Sequence, residues 1–256
     1  MTSPRTIVRL LWLCALPVSC VAPTGKVDSP PILFEILSTA SVPFAVDASD
    51  QIAPMGANWT WQRVDANGRA TGDPVIATQG VSTSLHGGMW MIPMIDGDRE
   101  YVSLANNGDL SLVAVEAPND KAISIFTPAL VLAPRQMHMD EIFASSSSMR
   151  VDWMDDGGER DRGVGQRTTR IVRAERIRTP LGEFQTMRVE TKFEAVLRLA
   201  KAQRSTTVWI AAGIGPIAEE WHGKVTVMGI QISNDVGTAI RISTISPTQE
   251  KTLPLE

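Results

Sequence analysis

The chain has 256 residues, 43% of them hydrophobic, enough to bury one large core or two small ones. Its 24 basic and 28 acidic residues give a net charge of −4 and form no long run, which argues against a nucleic-acid partner. Two cysteines and three histidines exclude a disulfide framework and leave little for a structural zinc site.

Residues 1–19 read as a secretion signal. Arg5 and Arg9 precede the apolar run Leu10 to Leu16, which is too short for a membrane span of about 20 residues. Pro17-Val18-Ser19-Cys20 resembles a bacterial lipobox, in which the cysteine becomes the first residue and is acylated. The alternative is an ordinary signal cleaved nearby, with Cys20 left as a free thiol. Cleavage before Cys20 leaves 237 residues and no second cysteine, so lipid attachment is the simplest use for the one that stays. The expectation is a membrane partner reached through this N-terminal lipid. Val21 in place of aspartate resembles lipoproteins held on the periplasmic side of the outer membrane.

Residues 20–31 read as the lipidated cysteine and a flexible tether, 32–246 as a single β-rich domain, and 247–256 as a loose tail. Ile32 to Ala45 is apolar enough for a first strand or a short helix. Trp59 to Val64 alternates as a strand, and Asp65-Ala66-Asn67-Gly68 supplies a hairpin signal after it. Pro74 to Leu85 forms the return strand, and Met89 to Met94 the next. Tyr101 to Ala105 and Leu110 to Val115 flank a second turn, Asn106-Asn107-Gly108-Asp109. Phe126 to Pro134 reads as a buried extended segment between two halves, Met137 to Phe143 as a short helix, and Ser145 to Ser148 as a polar loop. Met149 to Met154, Arg167 to Arg178, Val225 to Ile232 and Ile240 to Ile245 are further strands.

The most regular stretch runs from Thr179 to Trp221. After a turn at Pro180 and Gly182, Met187, Val189, Phe193, Ala195, Leu197 and Leu199 share one parity. Arg188, Glu190, Lys192, Glu194 and Arg198 take the other, the pattern of an antiparallel strand dry on one face. A helix from Glu190 to Arg204 is the rival, since its residues are good helix formers.

The turn and strand Thr179-Pro180-Leu181-Gly182-Glu183-Phe184, and the later Trp209-Ile210-Ala211-Ala212-Gly213-Ile214-Gly215-Pro216, resemble the punctuation of many uncharacterised bacterial envelope lipoproteins. The proline-bounded segment Phe126 to Pro134 resembles the one that precedes the second half of such proteins. The resemblance covers about Asn58 to Trp221. It implies a mainly β fold: a curved antiparallel sheet (half-barrel) with minor helical cover, like the outer-membrane lipoprotein carrier (LolA) superfamily. It carries no catalytic residues to transfer.

Candidate chemistry is sparse. Met137-His138-Met139, with Met89, Met91 and Met94, offers soft ligands for Cu(I), but methionines more often fill gaps in a core. Asp155, Asp156, Glu159 and Asp161 offer oxygen ligands for calcium without the order of an EF-hand loop, so a solvated hairpin tip is the plainer reading. Gly213-Ile214-Gly215 precedes no helix and is a turn, and no Ser–His–Asp spacing suggests a nucleophile. The expectation is therefore no enzyme, no cofactor and no resident metal.

Trp59, Trp61, Trp209 and Trp221 lie in predicted strands and are the candidate ligand-binding residues, set against plain core packing. Two functions follow as expectations. One is a binding or chaperone module for a lipid or other apolar ligand. The other is a structural lipoprotein that docks another envelope protein through a sheet edge or face.

Overall fold

A computed structural model describes residues 32–39, 42–51, 58–78, 80–82 and 89–245. The secretion signal, Cys20, the tether, His86 and the tail 247–256 lie outside the described residues. Sixteen strands are described. The first eight are β1 (Glu35–Ser38), β2 (Val46–Asp47), β3 (Asn58–Val64), β4 (Val75–Thr78), β5 (Gly80–Ser82), β6 (Met89–Pro93), β7 (Arg99–Leu104) and β8 (Leu110–Ala117). The rest are β9 (Ala122–Ala133), β10 (Gln136–Met137), β11 (Ile142–Trp153), β12 (Glu159–Thr179), β13 (Gly182–Leu197), β14 (Ala200–Ala211), β15 (Gly215–Val227) and β16 (Ile230–Ile245).

The large sheet is an antiparallel meander that nearly closes on itself. Consecutive strands pair from β6 through β9 and from β11 through β16, β9 pairs with β11, and β16 returns to pair with β3. β4 pairs with β3 and β5 with β6 at the two ends of that path, which leaves the wall nearly closed. The result is a twelve-strand barrel-like sheet. The curved antiparallel sheet expected from the sequence is present, and it curls further than a half-barrel.

The organising strand is as the parity predicts. Met187, Val189 and Ala195 on β13 point inward to the main core, while Lys192 is exposed on the outer face. Arg170, Lys201, Gln203 and Lys224 are also exposed outside, where a membrane-spanning barrel carries an apolar band. Cross-strand pairs such as Arg170–Glu190 (2.8 Å) and Lys201–Glu194 (3.0 Å) run along this outer face. Exposed pairs of this kind contribute about 0.2–1 kcal/mol each.

Short segments of chain cover parts of the wall. At one end Val46, Ala48 and Met137 enter the main core, carried by β2, the 3-10 turn Ala48–Gln51 and β10. On the outside, residues 32–38 form a strap. The Leu33 amide donates to the Gly68 carbonyl (2.6 Å), Phe34 stacks edge-on to Trp209 with centroids 5.2 Å apart, and β1 pairs with the end of β12. Under this strap lie Val64, Ile177, Trp209, Ala218 and Ile240. The ambiguous segment 32–45 thus supplies one short strand.

Four local expectations are corrected. Met137 to Phe143 is not a helix: Met137 pairs with Val46 in a two-strand ladder, and Asp140 adopts a left-handed φ of 68° that a helix excludes. Ser145 to Ser148 is not a loop but the middle of β11. The β9–β11 ladder stops at Thr127–Ser148, and beyond it the Ser147 and Ser145 hydroxyls donate to the Pro128 and Val131 carbonyls. The serines thereby satisfy carbonyls that the ladder leaves open. Val225 to Ile232 is two strands, because Met228 (φ 50°) and Gly229 (φ 81°) make a tight hairpin turn between β15 and β16. Phe126 to Pro134 does not separate two halves, since β9 pairs with neighbours on both sides within the wall.

Candidate functional site

The strand registers place an unusual set of side chains on the inward face. Arg167 on β12 stands opposite Phe193, Arg204 on β14 stands opposite the same Phe193, and Glu219 on β15 stands opposite Val208. Phe193 and Val208 pack against the main core, so the charged partners share its face. Glu100 on β7 stands opposite Ile92 and Val115, which also pack against that core.

The turn 94–98 between β6 and β7 completes the group. Asp96 accepts a hydrogen bond from the Arg204 guanidinium at 3.0 Å, across 108 residues of sequence. Ile95 in the same turn packs against a cluster of Trp59, Trp61, Ala77, Trp221 and Ala239. The turn therefore reaches from one side of the barrel to the strands opposite. Arg204 also lies 3.7 Å from Glu219 and 6.0 Å from the centre of the Trp221 ring.

The tryptophan wall is built by the same registers. Trp59 and Trp61 lie two residues apart on β3 and meet edge-to-face, with centroids 6.1 Å apart. Trp221 on β15 stands opposite Gly237 on β16, and its indole lies where a side chain at 237 would be. Its Nε1 donates to Asp235 at 2.7 Å, while Arg63 lies 5.3 Å from the ring centre. Arg241, only 3% exposed, lies 4.9 Å from the Trp59 ring centre and donates to the Ile214 and Pro216 carbonyls.

Burial shifts the ionisation of the charged group. Burial pushes Glu219 up to about 7; Arg204 opposes the rise, and Glu100 and Asp96 add to it. Burial, reinforced by Asp96, pushes Asp98 up to about 6. Burial also raises Glu100, against the pull of Arg167 and Arg204. On the basic side, burial lowers Arg167, whereas for Arg204 the neighbouring carboxylates outweigh burial and hold its charge more firmly. Four carboxylates thus face Arg167 and Arg204, with Arg63 and Arg241 on the adjoining tryptophan wall.

The group is not fully hydrogen-bonded. Among the described residues Arg167 donates to the Thr169 and Thr191 hydroxyls, at 3.3 and 3.4 Å. The Arg204 Nη2 and the Arg241 Nε have no hydrogen-bond acceptor among the described residues. The side chains of Arg204, Asp96 and Glu219 retain 28, 21 and 18% exposure, so space of water size remains beside them. A fully packed polar core would show neither feature.

Three of the four candidate tryptophans, Trp59, Trp61 and Trp221, come together on the inward wall. The fourth does not. Trp209 lies on the outward face beneath Phe34, 1% exposed, where its Nε1 donates to the fully buried Glu175 at 2.5 Å. The alternation already separates Trp209 from Val208 and Ile210, which point inward.

The soft-metal set is not assembled: Met137 lies in the main core, Met89 in a separate cluster with Tyr101, and Met139 is 39% exposed. The acidic turn is divided among other partners. Asp155 pairs with Lys121, Glu159 with Arg162 and Arg198, and Asp161 takes the backbone amides of Arg162, Arg198 and Leu199. Among the described residues no three His, Cys, Asp or Glu side chains are grouped to hold a metal ion.

No family model matches the chain, and no curated protein matches it. Among solved structures, the crystal structure of a "putative lipoprotein" from Parabacteroides distasonis ATCC 8503 aligns with 77% of this chain and 98% of its own, at 11% identity and a TM-score of 0.35. At that level the likeness carries no argument about this chain.

Proposed function

We infer that the protein is an exported, lipid-anchored binding barrel of the cell envelope, without catalytic activity, that holds a small amphipathic ligand in its lumen. The observation that carries this reading is the juxtaposition of a tryptophan wall and an incompletely satisfied charged group inside one nearly closed sheet. Apolar surface there would take the body of a ligand and the charged group would fix its polar end. The envelope location and the acyl anchor rest on the N-terminal sequence, and kinship with lipoprotein carriers rests on the turn and strand motifs.

Native mass spectrometry tests this. The chain from Val21 onward, without the signal and the acylated cysteine, is the form to test. Expressed in a bacterial periplasm, it should carry an adduct of small-molecule mass that is lost on denaturation. A bare mass after expression and after incubation with envelope lipid extract would count against luminal binding.

A second reading, docking to an envelope protein, is favoured by one feature. Leu199, Met228, Ile230, Ile232 and Val236 are all more than half exposed, and the Met228 amide bonds to the Leu199 carbonyl, which joins two hairpin tips at one rim. Near-closure of the sheet leaves little free edge, so docking would use this rim.

A further inference from the structure

We propose that the luminal site takes an aliphatic carboxylate, and that Ile95 and Asp96 of the turn 94–98 stand in its place until it arrives. This deepens the luminal-binding reading and rests on it.

The turn presents two kinds of side chain, one after the other, to the strands opposite. Ile95 packs against Trp59, Trp61, Ala77, Trp221 and Ala239, so an aliphatic group already lies on the tryptophan wall. Asp96, the next residue, accepts from the Arg204 Nη1 at 3.0 Å, so a carboxylate already lies on the guanidinium. An aliphatic group beside a carboxylate is the outline of an acyl acid, supplied here by the chain itself.

This stand-in does not saturate Arg204. The Asp96 Oδ1 accepts the Asp98 amide of its own turn at 3.2 Å, which leaves Oδ2 for the guanidinium. The Arg204 Nη2 is left without an acceptor, with Glu219 at 3.7 Å, beyond hydrogen-bond range. The group that answers a donor is an acceptor. A free carboxylate has two oxygens to offer and matches the fork of a guanidinium, which Asp96, tied into its turn, does not. Exchange of Asp96 for the ligand gives Arg204 a carboxylate in both states, so its charge is never stranded.

The turn is also able to leave. Its backbone hydrogen bonds are internal: the Met94 amide donates to the Asp98 carbonyl at 2.8 Å and the Gly97 amide to the Met94 carbonyl at 3.1 Å. It therefore holds the far strands through the side chains of Ile95 and Asp96. The Asp96 and Arg204 side chains keep 21 and 28% exposure, and an ion pair so placed is weak. A ligand that needs the same wall and the same guanidinium binds only when the turn has moved, and its apparent affinity is lowered by the scarcity of that open state.

The test compares three ligands of equal length, octanoate, octanol and octylammonium, each titrated into the chain from Val21 and followed by calorimetry and tryptophan fluorescence. Octanoate should bind at least about fivefold tighter than either of the others, the advantage of a charged acceptor on a guanidinium. Ile95→Ala and Asp96→Asn should each tighten octanoate and octanol together by about two- to fivefold, because the stand-in is weakened. A purely structural contact would give the opposite sign, and the gain for uncharged octanol separates release of the turn from mere loss of a negative charge. Both substitutions leave the internal hydrogen bonds of the turn in place. Arg204→Gln should bring octanoate within about twofold of octanol, and Arg204→Lys should restore part of the preference. Octanoate bound no tighter than octanol or octylammonium, an affinity unchanged or lowered in either turn variant, or a preference kept by R204Q would overturn the assignment and leave luminal binding standing. Binding of none of the three, by the wild type or by either turn variant, would overturn both.

Discussion

Gly237 is the position at which the luminal architecture is most sharply exposed to test. A Cβ built there would lie 2.7 Å from Cη2 and 2.8 Å from Cε2 of Trp221, and closer still to Cζ2. No rotation of a methyl relieves this, so the indole or the β16 backbone must move. Overpacking a fixed core costs about 1–3 kcal/mol, and a rigid indole flat against a strand belongs at the upper end. Gly223 is the matched control: it stands opposite Arg204 on the same face, and its added Cβ would meet only the Asp235 carbonyl at 3.8 Å. Gly223→Ala should therefore be neutral or stabilising by about 0.5 kcal/mol through the unfolded chain. Urea unfolding followed by tryptophan fluorescence measures both, with near-UV circular dichroism reporting the Trp221 environment. Equal midpoints for Gly237→Ala and the wild type, with an unchanged aromatic spectrum, would refute the placement of Trp221 against β16.

Three further outcomes are expected. Glu219, whose folded-state pKa of about 7 lies above the ordinary 4.5, contributes stability that is fully present below about pH 4.5 and is lost as pH rises through 7. Acids held low, such as Glu190 and Asp161, act in the opposite direction, so the difference between wild type and Glu219→Gln across pH 4–8 is the quantity to measure. Asp96→Asn removes the ion pair that pins the turn 94–98, and hydrogen exchange of that turn should accelerate with little change in global unfolding. Phe34→Ala strips the edge-on partner of Trp209 and should cost about 2 kcal/mol, seen as a lower urea midpoint at unchanged slope.

Much of the wall was legible because inward and outward residues alternate. The parity of Met187, Val189 and Ala195 against Lys192 and Glu194 gives β13 its faces directly, and Asn67-Gly68 and Asn107-Gly108 mark their turns. The misreadings share a cause, in that tertiary contacts override local composition. Four successive serines look like a loop until the Pro128 and Val131 carbonyls that they satisfy are known. Met228-Gly229 hides a turn inside an apolar run.

The charged group was only half visible. Arg204 falls on the dry parity of β14, with Ala202 and Val208, and Glu219 is flanked by Ala218 and the buried Trp221, so a polar residue at a core position was there to be noticed. Its partners were not. Asp96 and Arg204 are 108 residues apart and meet only because the sheet closes. The separation of Trp209 from the other three tryptophans follows from parity, whereas the strap that buries it follows from the path of residues 32–38.

The most direct test of the luminal site is fluorine NMR of the chain from Val21 labelled with 5-fluorotryptophan. Its six tryptophans are assigned by single substitution, and envelope lipid extract or the ligand carried from the periplasm is then added. The resonances of Trp59, Trp61 and Trp221 should move together and saturate, while Trp209 beneath its strap and the exposed Trp153 stay in place. Movement of Trp209 or Trp153 with a silent luminal trio would place the ligand on the outer surface and contradict the account.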